Sequence, residues 1–398
     1  MLELDGTDGG GQLVRTALSL SVVDGQPFRM ENVRANRPNP GLKRQHLACV
    51  ELLASLVDAD VDGAEKGAET LTFDPGTDAD EAITPDTDDF EGETLQSGRS
   101  GPTVSAMDDD LPEPIAVDVG TAGSVTLIAD TVLPLAGRLA APIRLRLGGG
   151  TDVKWSPSTD YLRHVKLPLL RTCGLEATVS VNRRGFYPAG GGELALDIRP
   201  STLSPILLPE RPTTVAGGRP AVSRLSARAV ATRDLEDSDV ADRMAETALS
   251  LLSERERFDE TTQNATARYV ESDSTGAVIT LVGEGDAGRP SEMAAKDDAF
   301  RARPRAGFVA HGERGVPAED VAAEAVDAAA AWHRTDAPVD EHLGDQLVVW
   351  LALAGGESKI PRVTDHVRTN VALVRSFGYD VAIQDRSGDG PATLSAPR

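Results

Sequence analysis

The chain has 398 residues, 40% of them apolar, and its 63 acidic against 40 basic side chains give a formal net charge of −23. That length supports two or three domains with sizeable cores. Cys49 and Cys173 stand outside any CxxC or zinc-ligand spacing, which excludes a disulfide framework and a structural zinc site. The longest apolar run, residues 347–354, is far short of a membrane span, and the acidic start Met1-Leu2-Glu3-Leu4-Asp5 lacks a signal peptide's basic and apolar regions. The reading is a cytoplasmic protein with no membrane partner. So acidic a balance ordinarily argues against nucleic acid. Arginine greatly outnumbers lysine, however, and acidic, lysine-poor surfaces suit concentrated salt, where a short Debye length screens self-repulsion. Composition thus points to a salt-loving host and leaves room for a local phosphate site built from arginines.

The N-terminal turn Asp5-Gly6-Thr7-Asp8-Gly9-Gly10-Gly11-Gln12 opens an apolar helix predicted over 13–23 and offers backbone amides to an anion. No GK[ST] follows, so it is not a Walker A loop. A strand over 27–33 leads to the loop Arg34-Ala35-Asn36-Arg37-Pro38-Asn39-Pro40-Gly41-Leu42-Lys43-Arg44, which carries four cations and is stiffened by two prolines. Arginines held in this way fork onto phosphate oxygens with little further entropy loss. A second, amphipathic helix over 44–56 and a strand over 59–61 complete the unit. Residues 76–115 carry twelve acidic side chains and one basic one, Arg99, and read as a solvated surface insertion.

The same plan recurs twice. Gly120-Thr121-Ala122-Gly123-Ser124 opens a helix over 125–136, followed by a strand over 143–147, a helix over 161–170 and a strand over 177–181. Leu343-Gly344-Asp345-Gln346 opens the apolar segment 347–354, followed by a strand over 359–363, a helix over 366–376 and a strand over 379–383. In each unit the first helix is apolar nearly all round and the second is amphipathic, the mark of a central helix beside a surface one. Between the second and third units, strands over 222–232 and 277–282 and helices over 240–253 and 316–332, with Pro317 in the first turn, differ in character. They define a smaller inserted α/β domain at 218–337 within a large domain formed by 1–217 and 338–398. Residues 285–306 are loop-like and richer in arginine.

Thr364-Asp365-His366-Val367-Arg368-Thr369-Asn370 places a histidine after two capping residues at the head of an apolar helix. The positive end of the helix dipole disfavours imidazolium and keeps a ring nitrogen available for attack, while drawing phosphates to the same place. His366 is therefore the candidate nucleophile.

Two further glycine motifs, Gly148-Gly149-Gly150-Thr151-Asp152 and Arg183-Arg184-Gly185-Phe186-Tyr187-Pro188-Ala189-Gly190-Gly191-Gly192-Glu193, complete a set. Together with DGTDGGGQLVRTALSLS, VRANRPNPGLKRQHL, GTAGSVTL, DEHLGDQL and DHVRTNVALV, in that order, the chain resembles the RNA 3′-terminal phosphate cyclase family. The resemblance covers nearly all of 1–75, 116–200 and 311–385. It implies an α/β (α+β) fold with a large domain of three repeated two-helix/four-strand units and a smaller inserted α/β domain. It also implies that ATP and a divalent cation, magnesium or manganese, serve as cofactors and that RNA 3′-phosphate ends are the substrate. His366 matches the family's nucleophile, which takes AMP from ATP; the adenylate passes to the RNA 3′-phosphate as RNA(3′)pp(5′)A, and the 2′-hydroxyl closes a 2′,3′-cyclic phosphate.

Position by position, Asp8 matches the family's metal-binding carboxylate, where a glutamate is usual in a turn two residues longer. Arg15, Arg34 and Arg37 match basic residues of the triphosphate or RNA-end pocket, and Gln45 and His46 match its polar neighbours. Pro157 matches a proline against the adenine, and Asp345 and Gln346 match nucleotide-site residues. His342 stands where a tyrosine is common, Asp130 where some members have glutamine, and Asn39 replaces a frequent lysine. Two alternatives compete. Cyclase-like ribosome-assembly factors bind RNA without catalysis but lack the nucleophilic histidine. Enolpyruvyl-type transferases also use repeated α/β units and arginine-bound phosphate but need no histidine adenylation.

Overall fold

A computed structural model describes residues 1–76, 82–84, 111–208, 214–215, 219–220, 222–285, 303–385 and 390–397. The first repeat runs β1 (Leu2–Asp5), α1 (Gly11–Asp24), β2 (Phe28–Glu31), α2 (Arg44–Val57), β3 (Asp60–Asp62) and β4 (Leu71–Asp74). Its sheet has the order β1-β2-β4-β3, with β1 and β2 parallel and the other neighbours antiparallel. The second runs β5 (Ile115–Asp118), α3 (Val125–Val132), β6 (Ile143–Gly149), a helix built from α4 (Thr159–Tyr161), a π segment (Leu162–Lys166) and α5 (Leu167–Arg171), then β7 (Ala177–Arg183) and β8 (Gly192–Ile198). Its order, β5-β6-β8-β7, is the same. The third begins with β9 (Ile206–Leu208) and is interrupted by the two-residue strands β10 (Thr214–Val215) and β11 (Arg219–Pro220), then β12 (Val222–Thr232), α6 (Val240–Ser253), β13 (Thr262–Val270), β14 (Ala277–Gly285), β15 (Arg305–His311) and α7 (Ala318–His333). It resumes with α8 (Glu341–Ala354), β16 (Gly356–Ile360), α9 (Asp365–Ser376), β17 (Ala382–Asp385) and β18 (Ala392–Ala396), and β9-β16-β18-β17 repeats the order once more. The fold is of the α/β class, and the insertion falls between the first strand and first helix of the third repeat.

Contacts divide the chain into two compact units. One comprises Met1–Ser156, Gly174–Leu203 and Asp365–Asp380. Here α1 packs against α2, α3 and α9, which explains an apolar surface all round: Leu13, Val14, Ala17, Leu18, Leu20 and Val22 are all buried. Gly25, at φ 63°, ends α1 in the left-handed conformation that glycine tolerates. The second helix of a repeat also packs outside its own sheet: α2 lies on α3 and β5, and α9 lies on α1 and β1.

The other unit comprises Pro157–Cys173, Ser204–Thr364 and Val381–Arg398. Its sheet β13-β12-β14-β15 is covered by α6 and α7, and one core joins Val222, Leu225, Met244, Phe258, Phe308 and Trp332. The π segment has a local cause. Pro168 has no N–H to give the carbonyl four residues back, and that carbonyl, of His164, instead accepts from Arg305 Nη1 at 2.7 Å. The widened turn accommodates the ring.

Helices and strands fall close to the sequence-predicted spans, with differences of physical origin. The segment expected as helix over 125–136 ends at Val132 and tightens into a 3₁₀ turn, Leu133–Gly137, around Pro134. The helix expected from residue 347 begins at Glu341, capped by Asp340. Most of the acidic stretch 76–115 lies outside the described residues; within it Ile83 is buried and pairs with Leu139, so the stretch is not wholly solvated, and β5 starts at Ile115. Of the loop-like span 285–306, residues 286–302 lie outside the described residues and Arg305 begins β15. Both cysteines are buried free thiols. Among the described residues no helix is long and apolar enough to cross a membrane.

Candidate active site

In the first unit the site is built around the start of α1. Asp5 shapes the approach, its Oδ1 accepting from the Thr7 amide (3.0 Å), the Thr7 hydroxyl (2.5 Å) and Asn32 Nδ2 (3.2 Å). Gly10 caps α1 without a side-chain hydrogen bond, so the first amides of the helix face whatever lies above them. A Cβ on Gly11 would stand 2.2 Å from His46 Nε2 and 3.1 Å from Arg15 Nη1, and one on Gly10 would stand 3.3 Å from Arg37 Nη2. The glycine run therefore lets backbone, imidazole and two guanidiniums crowd one point. Asp8 is exposed beside it and accepts from Asn36 Nδ2 at 3.0 Å.

His46 is buried on the first turn of α2. Its Nδ1 accepts the Lys43 amide at 3.0 Å. Burial, reinforced by the charges of Arg15, Arg34 and Lys43, lowers its pKa to about 3. The imidazole is therefore neutral, and with Nδ1 accepting, the proton sits on Nε2, the atom nearest Gly11. His46 is thus a fixed donor aimed at the glycine turn. Burial also lowers the pKa of Arg15, while Cys49 on α2 and Asp130 on α3 oppose the shift. Arg34, at φ 57°, donates from Nη1 to the Asn39 and Gly41 carbonyls (2.9 Å each), which rigidifies the loop bearing exposed Arg37. Gln45 links this loop to the second repeat: its Oε1 accepts the Ser124 amide at 3.4 Å, and Ser124 Oγ in turn caps the Leu127 amide.

His366 is exposed on the first turn of α9. Thr369 and Asn370, three and four residues on, share its helix face. Gln12 Nε2 donates to Thr369 Oγ1 at 3.5 Å, and Thr16 Oγ1 donates to buried Asn370 Oδ1 at 3.1 Å. Buried Val367, Val371 and Val374 fix the rest of α9 on its packing face. The histidine-bearing face is therefore the one turned to the helix that begins at Gly11.

The second unit holds the remaining sequence-predicted residues. His342 (exposed), Asp345 and Gln346 lie on the first turns of α8. Its cap, Asp340, is buried and accepts from the Leu343 amide (3.0 Å), the Gly307 amide (2.8 Å) and the Tyr161 hydroxyl (2.9 Å). Tyr161 stands in the helix that Pro157 precedes, capped by Ser158 Oγ, so the Tyr161–Asp340 bond draws Pro157 and the α8 start to one end. Burial pushes the Asp345 carboxyl up to about 6, against the Thr364 hydroxyl donating at 2.5 Å and the His342 charge. Gln346 Oε1 is buried with no hydrogen-bond partner among the described residues, an acceptor in want of a donor. Sequence reasoning missed Gln12, Thr16, Asp340 and Tyr161, and read Lys43 only as a loop cation, whereas its amide also orients His46. For Asp340 a signal existed, an aspartate three residues before Leu343, where N-caps stand.

The arrangement suits polyanionic phosphate: neutral donor, guanidiniums and helix amides converge at the start of α1, on which the helix bearing exposed His366 is docked. Among the described residues no three His, Cys, Asp or Glu side chains cluster to hold a metal ion. A single carboxylate such as Asp8 suits magnesium, which takes one or two carboxylates and completes its shell with water and substrate phosphates.

Residues 7–383 match the family model described as RNA 3′-terminal phosphate cyclase. A protein of that name from Halobacterium salinarum is 45% identical over 393 residues, 99% of either chain. Cyclases from Ectopseudomonas mendocina (35% over 378 residues, 94% of this chain and 92% of that one) and Pyrococcus furiosus (33% over 379 residues, 95% and 93%) are similar as well.

Proposed function

The chain belongs to the RNA 3′-terminal phosphate cyclase family and is an enzyme of that activity, and on this premise we propose how its residues divide the work. A ring nitrogen of His366 attacks the α-phosphorus of ATP, forming a P–N bond as the bond to pyrophosphate breaks. An oxygen of the RNA 3′-phosphate displaces the histidine, giving RNA(3′)pp(5′)A. The vicinal 2′-hydroxyl then loses its proton and attacks the 3′-phosphorus, closing the 2′,3′-cyclic phosphate and expelling AMP. Adenylation makes a poor leaving group good, and the neighbouring hydroxyl supplies proximity.

Arg15, Arg34 and Arg37 hold phosphate oxygens, and His46 Nε2–H donates to one without adding a charge that could titrate near neutrality. Gln45 and Asp130 position this set. Pro157, His342, Asp345 and Gln346 are assigned to the nucleotide by their motif matches. Asp8 would hold a divalent cation, which would supply charge neutralisation on the phosphates. The division into a large domain (1–217, 338–398) and an inserted one (218–337) belongs to the same reading, supported by the single core spanning Val222 to Trp332. So do a cytoplasmic location and adaptation to concentrated salt, supported by the acidic, arginine-rich composition.

The observation that carries the assignment is the docking of α9 on α1 through Gln12–Thr369 and Thr16–Asn370, which sets the nucleophile's face toward the Gly11–His46–Arg15 cluster. Incubation with α-labelled ATP and a divalent cation in high salt, followed by denaturing separation, should leave acid-labile label on wild type and none on His366→Ala. Label on both, or cyclic product from the variant, would remove His366 from the role. No label on folded wild type would favour a non-catalytic RNA-binding role.

A further inference from the structure

Two large aromatic side chains of the first unit gain nothing from the fold. Trp155 is 97% exposed and Tyr187 75% exposed. Trp155 also sits at φ 63°, a left-handed conformation that is unfavourable for a bulky residue. Neither burial nor backbone preference accounts for tryptophan there.

Both residues stand on loops clamped together. The Thr151 and Asp152 amides donate to the Gly185 carbonyl (2.9 and 3.2 Å), and Arg184 Nη1 holds both carboxylate oxygens of Asp152 (3.0 and 2.9 Å). Lys154 and Trp155 follow this clamp on one strand, and Tyr187 follows it on the other. The repeated topology gives the placement meaning. The loop between β6 and α4 is the second repeat's counterpart of the β2–α2 loop bearing Arg34, Arg37 and Lys43.

The clamp is also continuous with the phosphate site. Arg44 Nη1 lies 3.1 Å from where a Cβ on Gly120 would stand, and Gln45 accepts the Ser124 amide. The same Gly120–Ser124 loop touches the clamp on its far side: Cβ atoms on Gly150 and Gly190 would meet the Ala122 carbonyl at 2.6 Å and the Thr121 carbonyl at 2.7 Å. Direct contacts thus link the arginine loop, through residues 120–124, to the two loops that bear the exposed rings.

We propose that Trp155 and Tyr187, flanked by exposed Lys154 and Arg183, form a stacking platform for unpaired bases of the RNA strand just upstream of the 3′-phosphate. The proposal rests on the reading that the 3′-phosphate occupies the Gly11–His46–arginine pocket. Every base has a π-face, so the platform is indifferent to sequence. It requires single-stranded ends, because bases in a duplex are already stacked. Its hold is hydrophobic and dispersive, and so persists in salt that screens lysine and arginine.

The test is direct binding, by fluorescence anisotropy, of labelled single-stranded RNA bearing a 3′-phosphate, in ten-nucleotide and two-nucleotide versions. A ten-nucleotide strand ending in a 3′-hydroxyl is the control. Trp155→Ala and Tyr187→Ala should each raise Kd for the long strand roughly five- to hundredfold and leave the short strand unchanged, with Trp155→Phe restoring most of the loss. Neither variant removes buried area, so thermal unfolding should be unchanged. Aromatic variants that weaken both strands equally, or neither, would overturn the platform. The pocket is judged separately: it fails if wild type binds 3′-phosphate and 3′-hydroxyl strands alike and Arg37→Ala alters neither, while dependence on strand length still decides the platform.

Discussion

Replacing His46 by asparagine should flatten the acid side of the stability profile. The free imidazole titrates near 6.5, and burial with three neighbouring cations brings the folded value to about 3. Between these values the unfolded chain binds a proton that the folded chain does not. The stabilisation is therefore fully present above the unfolded pKa and is lost as pH falls toward the folded one. At pH 5 the unfolded imidazole is about 97% protonated and the folded one neutral, a loss of about 2 kcal/mol relative to pH 8. That figure is set by the unfolded pKa, since a folded imidazole titrating anywhere below pH 4 is still neutral at pH 5. Asparagine keeps an oxygen for the Lys43 amide but cannot titrate. Urea unfolding of both proteins at pH 5 and pH 8, at one ionic strength, should show wild type losing about 2 kcal/mol more than the variant across that interval. Equal losses would mean that His46 is charged or solvated in the fold, and the neutral-donor role would go with it.

Gly11→Ala should lower kcat/KM for cyclisation by about 10²-fold and cost about 1–3 kcal/mol of stability, because the added methyl must push aside the buried His46 ring and Arg15; full activity would show that the close approach is unimportant. Arg184→Ala should cost about 3–5 kcal/mol in urea unfolding, since both partners of the Arg184–Asp152 pair are nearly or wholly inaccessible, at 10% and 0% side-chain exposure; a loss below about 1 kcal/mol, the worth of a surface pair, would refute the buried-charge argument. Asp345 has the opposite sign to His46. Its folded pKa of about 6 lies above its ordinary 3.8, so its contribution is present at low pH and lost as pH rises through 6. Between pH 4 and pH 8 wild type should lose about 2 kcal/mol relative to Asp345→Asn, and the lack of any difference between the two proteins would place the carboxyl in solvent.

The helices were legible because their signals are local. The apolar runs of α1 and α3 and the amphipathic periods of α2 and α9 each stand within one window, and the turn glycines before α1 and α3 mark their starts. The first and last strands of each repeat were not. β9 has three residues, and β1 and β18 are short and partly polar; their existence depends on pairing with β16 or β2, which no window contains. β13 was invisible for another reason: it is an edge strand with no fully buried residue, so the apolar alternation that marks a strand was never needed. The start of α8 was missed because Asp340 is polar for capping and buried for its bonds to Tyr161 and Gly307. In the site, the chain announced residue types through its motifs. It could not announce that Gly11 lies against His46, or that Thr16 and Asn370 meet.

The docking of α9 on α1 also sets when the enzyme becomes competent. Thr16 and Asn370 are 354 residues apart, and His46, the last residue of the arginine pocket, precedes His366 by 320, so a ribosome adding 5–20 residues per second makes the pocket roughly 16–64 s before the proposed nucleophile. During that interval the proposed phosphate pocket stands without the proposed nucleophile. On the proposed division of work, adenylation waits until α9 has been made and has docked on α1, so a chain cut short before α9 is expected to hold phosphate without consuming ATP.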